Sequence, residues 1–217
     1  MCSSDLLTHQ QMRLYAVTDR AWAADEDALF AQIEAAIDGG AGVVQLREKH
    51  ASREEFLHLA ERFVALCRRR GVVSIINDNV DIAAAVGADG VHVGQEDLEA
   101  GRARALLGPD KIIGVSTHSV AEAQAAQAAG ADYLGVGAAF VTGTKTDAKP
   151  VGHDVIRAVT AAVDIPVVAI GGIGRDNILE LSGCGLAGVA VVSALFAQKD
   201  VAAAARELHD LAEQIAR

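Results

Sequence analysis

Eight short apolar runs, rich in valine and isoleucine and spaced at near-regular intervals, constrain this chain more than any other feature. They cover residues 14–18, 43–47, 73–77, 90–94, 112–116, 133–137, 167–170 and 189–193. Most are continuous rather than alternating, the pattern of parallel strands covered on both faces. Helix-like stretches at 25–38, 53–70 and 121–129 lie between them, and another at 202–216 closes the chain. Eight strands alternating with eight helices admit a closed barrel or a doubly wound sheet. Closure is favoured by the count of eight and by a repeat before every second strand: Gly40-Ala41-Gly42-Val43, Gly87-Ala88-Asp89-Gly90-Val91, Gly130-Ala131-Asp132-Tyr133 and Gly185-Leu186-Ala187-Gly188-Val189. Each fits a helix that ends on a left-handed glycine and turns tightly into a strand. Recurrence every two βα units suits a barrel whose alternate strands share layers. The expected fold class is α/β, a single (β/α)8 TIM barrel over residues 12–217, preceded by a flexible tail at 1–11.

Composition narrows the partners. The chain is 51% hydrophobic but only 4% aromatic, so its cores are built from Ala, Val, Ile and Leu. A net charge of −10 argues against a nucleic-acid surface and against an anionic membrane, both of which need clustered Lys and Arg. It does not argue against anionic small molecules, because local charges govern a site. No apolar run is long enough to span a bilayer, and the polar first eleven residues lack a signal-peptide core. Cys2, Cys67 and Cys184 are far apart and show no zinc spacing, which fits a reducing cytoplasm. Oligomeric state is left open.

In a barrel of this kind chemistry gathers at the C-terminal ends of the strands. Run 2 ends in Gln45-Leu46-Arg47-Glu48-Lys49. Residues 45, 47 and 49 share a face if the strand continues, giving a hydrogen-bonding, cationic wall suited to a polyanion; a solvated charge pair is the alternative. Run 3 ends in Asn77-Asp78, and run 4 leads into Gln95-Glu96-Asp97. Asp78 and Asp97 could share one Mg²⁺, which takes one or two protein carboxylates and leaves its other positions to water and phosphate. Taken singly, each reads as a helix N-cap. After run 5, Ser116 could donate to phosphate, with Thr117 or Ser119 as a cap. His118 stays undecided, and His92 reads first as a core histidine and second as a contact to a substrate ring. The irregular segment 138–152 carries Thr142-Gly143-Thr144-Lys145, hydroxyls and a point charge for phosphate, or else a surface loop. Gly171-Gly172 after run 7 and Val192-Ser193 after run 8 are the residue types of a backbone phosphate site. Two anion sites in one molecule imply two phosphorylated small-molecule substrates.

Taken together, Gln45-Leu46-Arg47-Glu48-Lys49, Ile76-Asn77-Asp78, His92-Val93-Gly94-Gln95-Glu96-Asp97, Gly114-Val115-Ser116, Thr142-Gly143-Thr144-Lys145, Ala169-Ile170-Gly171-Gly172-Ile173 and Val192-Ser193 resemble the motifs of the thiamine-phosphate synthase family, in its order. The resemblance implies a Mg²⁺-dependent transferase. It would couple 4-amino-2-methyl-5-hydroxymethylpyrimidine diphosphate to 4-methyl-5-(2-phosphoethyl)thiazole and release pyrophosphate. By the same resemblance Arg47, Lys49, Asn77, Ser116 and Lys145 hold the pyrophosphate. Asp78 and Asp97 hold Mg²⁺, Gln45 reads the pyrimidine with His92 beside it, and Thr142, Thr144, Gly172, Val192 and Ser193 hold the thiazole phosphate. Segment 137–141 lacks the proline usual in the family, and Val192 stands where Ile is common. Three other readings stay open: a thiazole tautomerase, a Schiff-base aldolase using Lys145, and a non-catalytic thiazole phosphate sensor.

Overall fold

The structure, a computed structural model, describes residues 7–94, 100–141 and 150–216. Eight parallel strands close into a barrel in sequence order: β1 (Leu14–Val17), β2 (Val43–Leu46), β3 (Val73–Asn77), β4 (Gly90–Val93), β5 (Ile112–Thr117), β6 (Tyr133–Gly137), β7 (Val167–Ile170) and β8 (Gly188–Val191). Closure is made by β1 against β8, with Leu14 opposite Val189. The continuous apolarity of the strands has a simple cause. Leu14, Ala16, Val44, Leu46, Ile113 and Val115 join the outer core against the helices. Their neighbours Tyr15, Val17, Val43 and Ile112 point into the barrel. Both faces are buried, so the strands stay mostly apolar instead of alternating with solvent-facing polar residues.

The helices start where local chemistry directs. Before α1 (His9–Met12), Thr8 and Gln11 form a reciprocal capping box. Asp25 caps α2 (Glu26–Asp38), accepting from the Ala28 N–H. Ser52 and Glu55 form another capping box on α3 (Arg53–Arg70), which ends on left-handed Gly71 with Arg68, Arg69 and Arg70 in its last turn. That arrangement suits both the capping demand and the helix dipole. Next come α4 (Val80–Val86), α5 (Ala100–Leu107), α6 (Val120–Ala128), α7 (His153–Ala162), α8 (Ser193–Phe196) and α9 (Val201–Ile215). The four repeat glycines, 40, 87, 130 and 185, all have positive φ, as the repeat requires.

Three expectations change. The connection from β7 to β8 is a single 3-10 turn, Ile178–Leu181, not an eighth crossover helix. Strands β2 and β8 stop at Leu46 and Val191, short of the expected 47 and 193. Residues 7–11, expected to be loose, enter the fold: Leu7 is buried and α1 tucks beneath the barrel.

That tuck depends on two glycines. A Cβ on Gly42 would lie 2.4 Å from the Gln11 carbonyl oxygen, and one on Gly188 only 2.0 Å from that of Met12. Because the obstacle is main chain, Gly188→Ala is expected to cost about 1–3 kcal/mol. That lowers the melting temperature by several degrees, roughly 2–4 °C per kcal/mol for a domain of this size. Thermal unfolding checks it, and an unchanged Tm would show that the floor can yield. No helix among the described residues is long and apolar enough to cross a membrane.

Candidate active site

At the C-terminal mouth, the segment after β1 is latched to the end of β2. The Thr18 N–H donates to the Gln45 carbonyl (3.0 Å), and the Arg47 N–H donates to Thr18 Oγ1 (3.0 Å). Asp19 caps the 3-10 turn Arg20–Trp22 and lies 4.0 Å from the Arg47 guanidinium. Arg20 sits 3.7 Å from the buried carboxylate of Glu48. Burial pushes the Glu48 carboxyl up, with Arg20 pulling the other way. This latch fixes the backbone of Arg47, whose side chain lines the cavity.

Because β2 stops at Leu46, the continuous face over 45, 47 and 49 does not form. Gln45 and Arg47 face the cavity, while Lys49 reaches Asp78, its Nζ donating to Oδ2 at 2.7 Å. The helix-cap alternative for Asp78 passes to Asn79, whose side chain accepts from the Ile82 N–H at the start of α4 (2.9 Å). Asp78 instead adopts φ +62° and donates its N–H to the His92 carbonyl (2.8 Å). A non-glycine residue in this region is uncommon and is costly unless its surroundings hold it. It sits at the rim, next to Asn77 in the cavity wall.

Inside the barrel runs a chain of polar contacts. Gln45 Nε2 donates to the Tyr15 hydroxyl (2.6 Å), which lies 2.7 Å from the Tyr133 hydroxyl. Tyr133 meets His92 Nδ1 at 2.9 Å, and His92 Nε2 meets Ser116 Oγ at 2.9 Å. His92 is thus a satisfied interior histidine and a wall of the cavity at once. The cap role after β5 belongs to Ser119, which accepts from the Glu122 N–H of α6. His118 borders the cavity and contacts Glu122.

The opposite wall comes from β7 and β8. Gly171, Gly172, Val192 and Ser193 line the same cavity as Gln45, Arg47, Asn77, His92 and Ser116. Gly171 and Gly172 both have positive φ, and a Cβ on Gly172 would meet the Val141 carbonyl oxygen at 2.4 Å. Asn177 shapes this loop, donating to the Gly172 carbonyl and accepting from the Gly174 N–H. Asp97, Thr142, Thr144 and Lys145 lie outside the described residues. Among the described residues, no cluster of three or more His, Cys, Asp or Glu is arranged to hold a metal. Asp78 is therefore the described candidate, and one carboxylate is within the usual range for Mg²⁺.

Sequence reading missed Tyr15, Tyr133 and Asn177. The tyrosines had a signal: they are the chain's two tyrosines, and both sit in strands. A buried phenol needs a partner for its hydroxyl, so their pairing inside the barrel could have been sought.

Comparison with known proteins bears on the whole constellation. Residues 14–195 match the family described as thiamine monophosphate synthase. The thiamine-phosphate synthase of Chloroflexus aurantiacus is 52% identical over 200 residues, spanning 92% of this chain and 92% of that protein. That of Alkaliphilus oremlandii is 51% identical over 195 residues, spanning 90% and 93%. The solved structure of thiamine phosphate pyrophosphorylase from Pyrococcus furiosus matches with a TM-score of 0.86 at 37% identity, covering 95% of this chain and 98% of that one.

Proposed function

The chain belongs to the thiamine monophosphate synthase family, and on that premise we propose how its own residues make thiamine phosphate. The substrates are the aminopyrimidine diphosphate and the thiazole phosphate named above. The carrying observation is one cavity with polar and cationic groups on the β2–β5 side and a glycine-lined wall on the β7–β8 side. The bond between the pyrimidine methylene carbon and pyrophosphate oxygen breaks first, and its electron pair leaves with pyrophosphate. The thiazole nitrogen then bonds to the pyrimidinylmethyl cation, and the ring becomes a thiazolium.

Arg47 and Lys49, with Lys145, neutralise the charge that grows on the leaving group, while Asn77 and Ser116 donate hydrogen bonds to it. Gln45 and His92 orient the pyrimidine. Gly172, Val192 and Ser193, with Thr142 and Thr144, hold the thiazole phosphate so that its nitrogen lies close to the cation; such proximity lowers the barrier by removing orientational entropy. Asp78, with Asp97, would hold Mg²⁺: its carboxylate sits at the rim, and the Lys49 ammonium already balances it at 2.7 Å. When bound, Mg²⁺ supplies charge neutralisation to pyrophosphate oxygens. We place the protein in the cytoplasm, where the buried free thiols of Cys67 and Cys184 are suited to a reducing environment.

The test is to incubate the purified protein with both substrates and Mg²⁺ and to measure thiamine phosphate by mass. Product should require all three. Thiazole isomerisation without coupling, a borohydride-trapped adduct at Lys145, or binding without pyrophosphate release would each replace this reading by a rival. Asp78→Asn keeps a residue that tolerates the left-handed backbone but removes the charge. It is expected to lower the Mg²⁺-dependent rate at least about 100-fold, the loss typical of one strong electrostatic contact, with Tm unchanged. A rate within threefold of the parent would remove Asp78 from the metal site.

A further inference from the structure

We propose that Tyr15 and Tyr133 are positioning residues that tie Gln45 and Ser116 into one directional relay of hydrogen bonds. In such a relay an acceptor offered at one end and a donor offered at the other come as a pair. The inference deepens the function proposed above and rests on it for the identity of the ligands.

The polarity follows from counting hydrogens. Gln45 Nε2 can only donate, so the Tyr15 oxygen accepts from it and sends its own hydrogen to Tyr133. Tyr133 then sends its hydrogen to His92 Nδ1, which leaves the imidazole proton on Nε2, aimed at Ser116 Oγ. Ser116, accepting from His92, is set to act as a donor through its own hydroxyl hydrogen. Burial holds both phenols protonated, since both titrate well above the ordinary tyrosine range. Turning the Gln45 amide over would reverse every bond in the row.

Two glycines make room for this row. A Cβ on Gly114 would sit 2.1 Å from the Tyr133 ring, and one on Gly135 would sit 3.2 Å from His92 Cε1. In the polarity the structure adopts, Gln45 keeps its carbonyl oxygen for the cavity and Ser116 offers a donor. An aminopyrimidine wants the first and a phosphate wants the second. One molecule carrying both groups is matched at both ends by a single arrangement of protons.

The ¹⁵N NMR spectrum of histidine-labelled protein reads the relay directly, with His92 assigned through its loss in His92→Asn. Without ligand, the wild type should show the Nε2–H tautomer alone. Tyr15→Phe removes a group that makes no hydrogen bond to His92, yet it should produce a mixture of tautomers. Should that variant melt early, Tyr133→Phe cuts the next bond and gives the same readout. In the wild type, 4-amino-5-hydroxymethyl-2-methylpyrimidine should tighten binding of Mg²⁺-pyrophosphate by about fivefold or more, and in Tyr15→Phe that tightening should vanish. A wild-type proton on Nδ1, or a Tyr15→Phe protein with tautomer and tightening unchanged, overturns the relay. The tautomer measurement needs no ligand. A protein that passes it and makes no thiamine phosphate sinks the proposed function and leaves the relay standing.

Discussion

Arg47→Ala is expected to lower kcat for thiamine phosphate formation by about 10²–10³-fold, the loss seen when one preorganised charge-stabilising donor is removed. The guanidinium lines the cavity, and its backbone is pinned by the Thr18 hydroxyl rather than by the side chain. Its nearest carboxylate, on Asp19, is 4.0 Å away, so truncation leaves no tight ion pair broken. The fold should therefore survive, and the deficit should fall on the chemical step. Pyrophosphate gains charge as its bond breaks, so an interaction that strengthens only then lowers kcat more than it raises KM. Arg47→Lys restores charge without the planar fork that grips two phosphate oxygens, and its rate should fall between the two. Single-turnover pyrophosphate release is the measurement. A rate for Arg47→Ala within threefold of the parent would take the residue out of the mechanism.

Arg104→Ala is expected to cause the largest loss of stability, about 3–5 kcal/mol. Arg104 lies on α5 and donates to the carbonyls of Gly108, Lys111 and Gly130 as well as to Asp132 at 2.5 Å. Asp132 is buried and also accepts from the Ile113 N–H, so the pair joins α5 to the starts of β5 and β6. Removing the guanidinium takes a charged hydrogen-bond donor away from a buried carboxylate. At roughly 2–4 °C per kcal/mol, the melting temperature should fall by about 6–20 °C. The pH dependence has a definite sign. Burial pushes the Asp132 carboxyl above the ordinary aspartate range, while the Ile113 N–H and Arg104 pull it down. A carboxyl raised in the folded state costs stability as pH rises through the window between its unfolded and folded values. Losing Arg104 widens that window, so the deficit should be greatest at neutral pH and shrink in acid as Asp132 takes up its proton. A Tm drop under 2 °C at pH 7, or a deficit that grows in acid, would contradict this account.

Much of the barrel could be read from local pattern. Helices α2, α3, α6 and α9 follow from capping residues and periodicity, and strand positions follow from continuous apolar runs. What local pattern could not supply was long-range. The β7–β8 connection packs Ile178 and Leu181 into the outer core through one 3-10 turn where the other connections use a helix. The pairing of Lys49 with Asp78 joins residues 29 apart, and that of Tyr15 with Tyr133 joins residues 118 apart. Asp78 was marked for its carboxylate, but its left-handed backbone could not be foreseen, since taken singly the residue reads as a helix cap. Leu7 and Met12 are anchored by the barrel's underside, which exists only once the strands have met.

The seal beneath the barrel has a consequence for how such a protein can diverge. Two carbonyls of the entering chain rest on Gly42 and Gly188, so the veto there is steric and indifferent to side-chain chemistry. Hydrophobic, polar and charged replacements at those two positions are all turned away for the same reason. The far end is governed by charge and hydrogen bonding instead, where a changed residue alters what is handled before it alters whether the chain folds. Sequence drift can rewrite one end of this molecule while the other stays fixed.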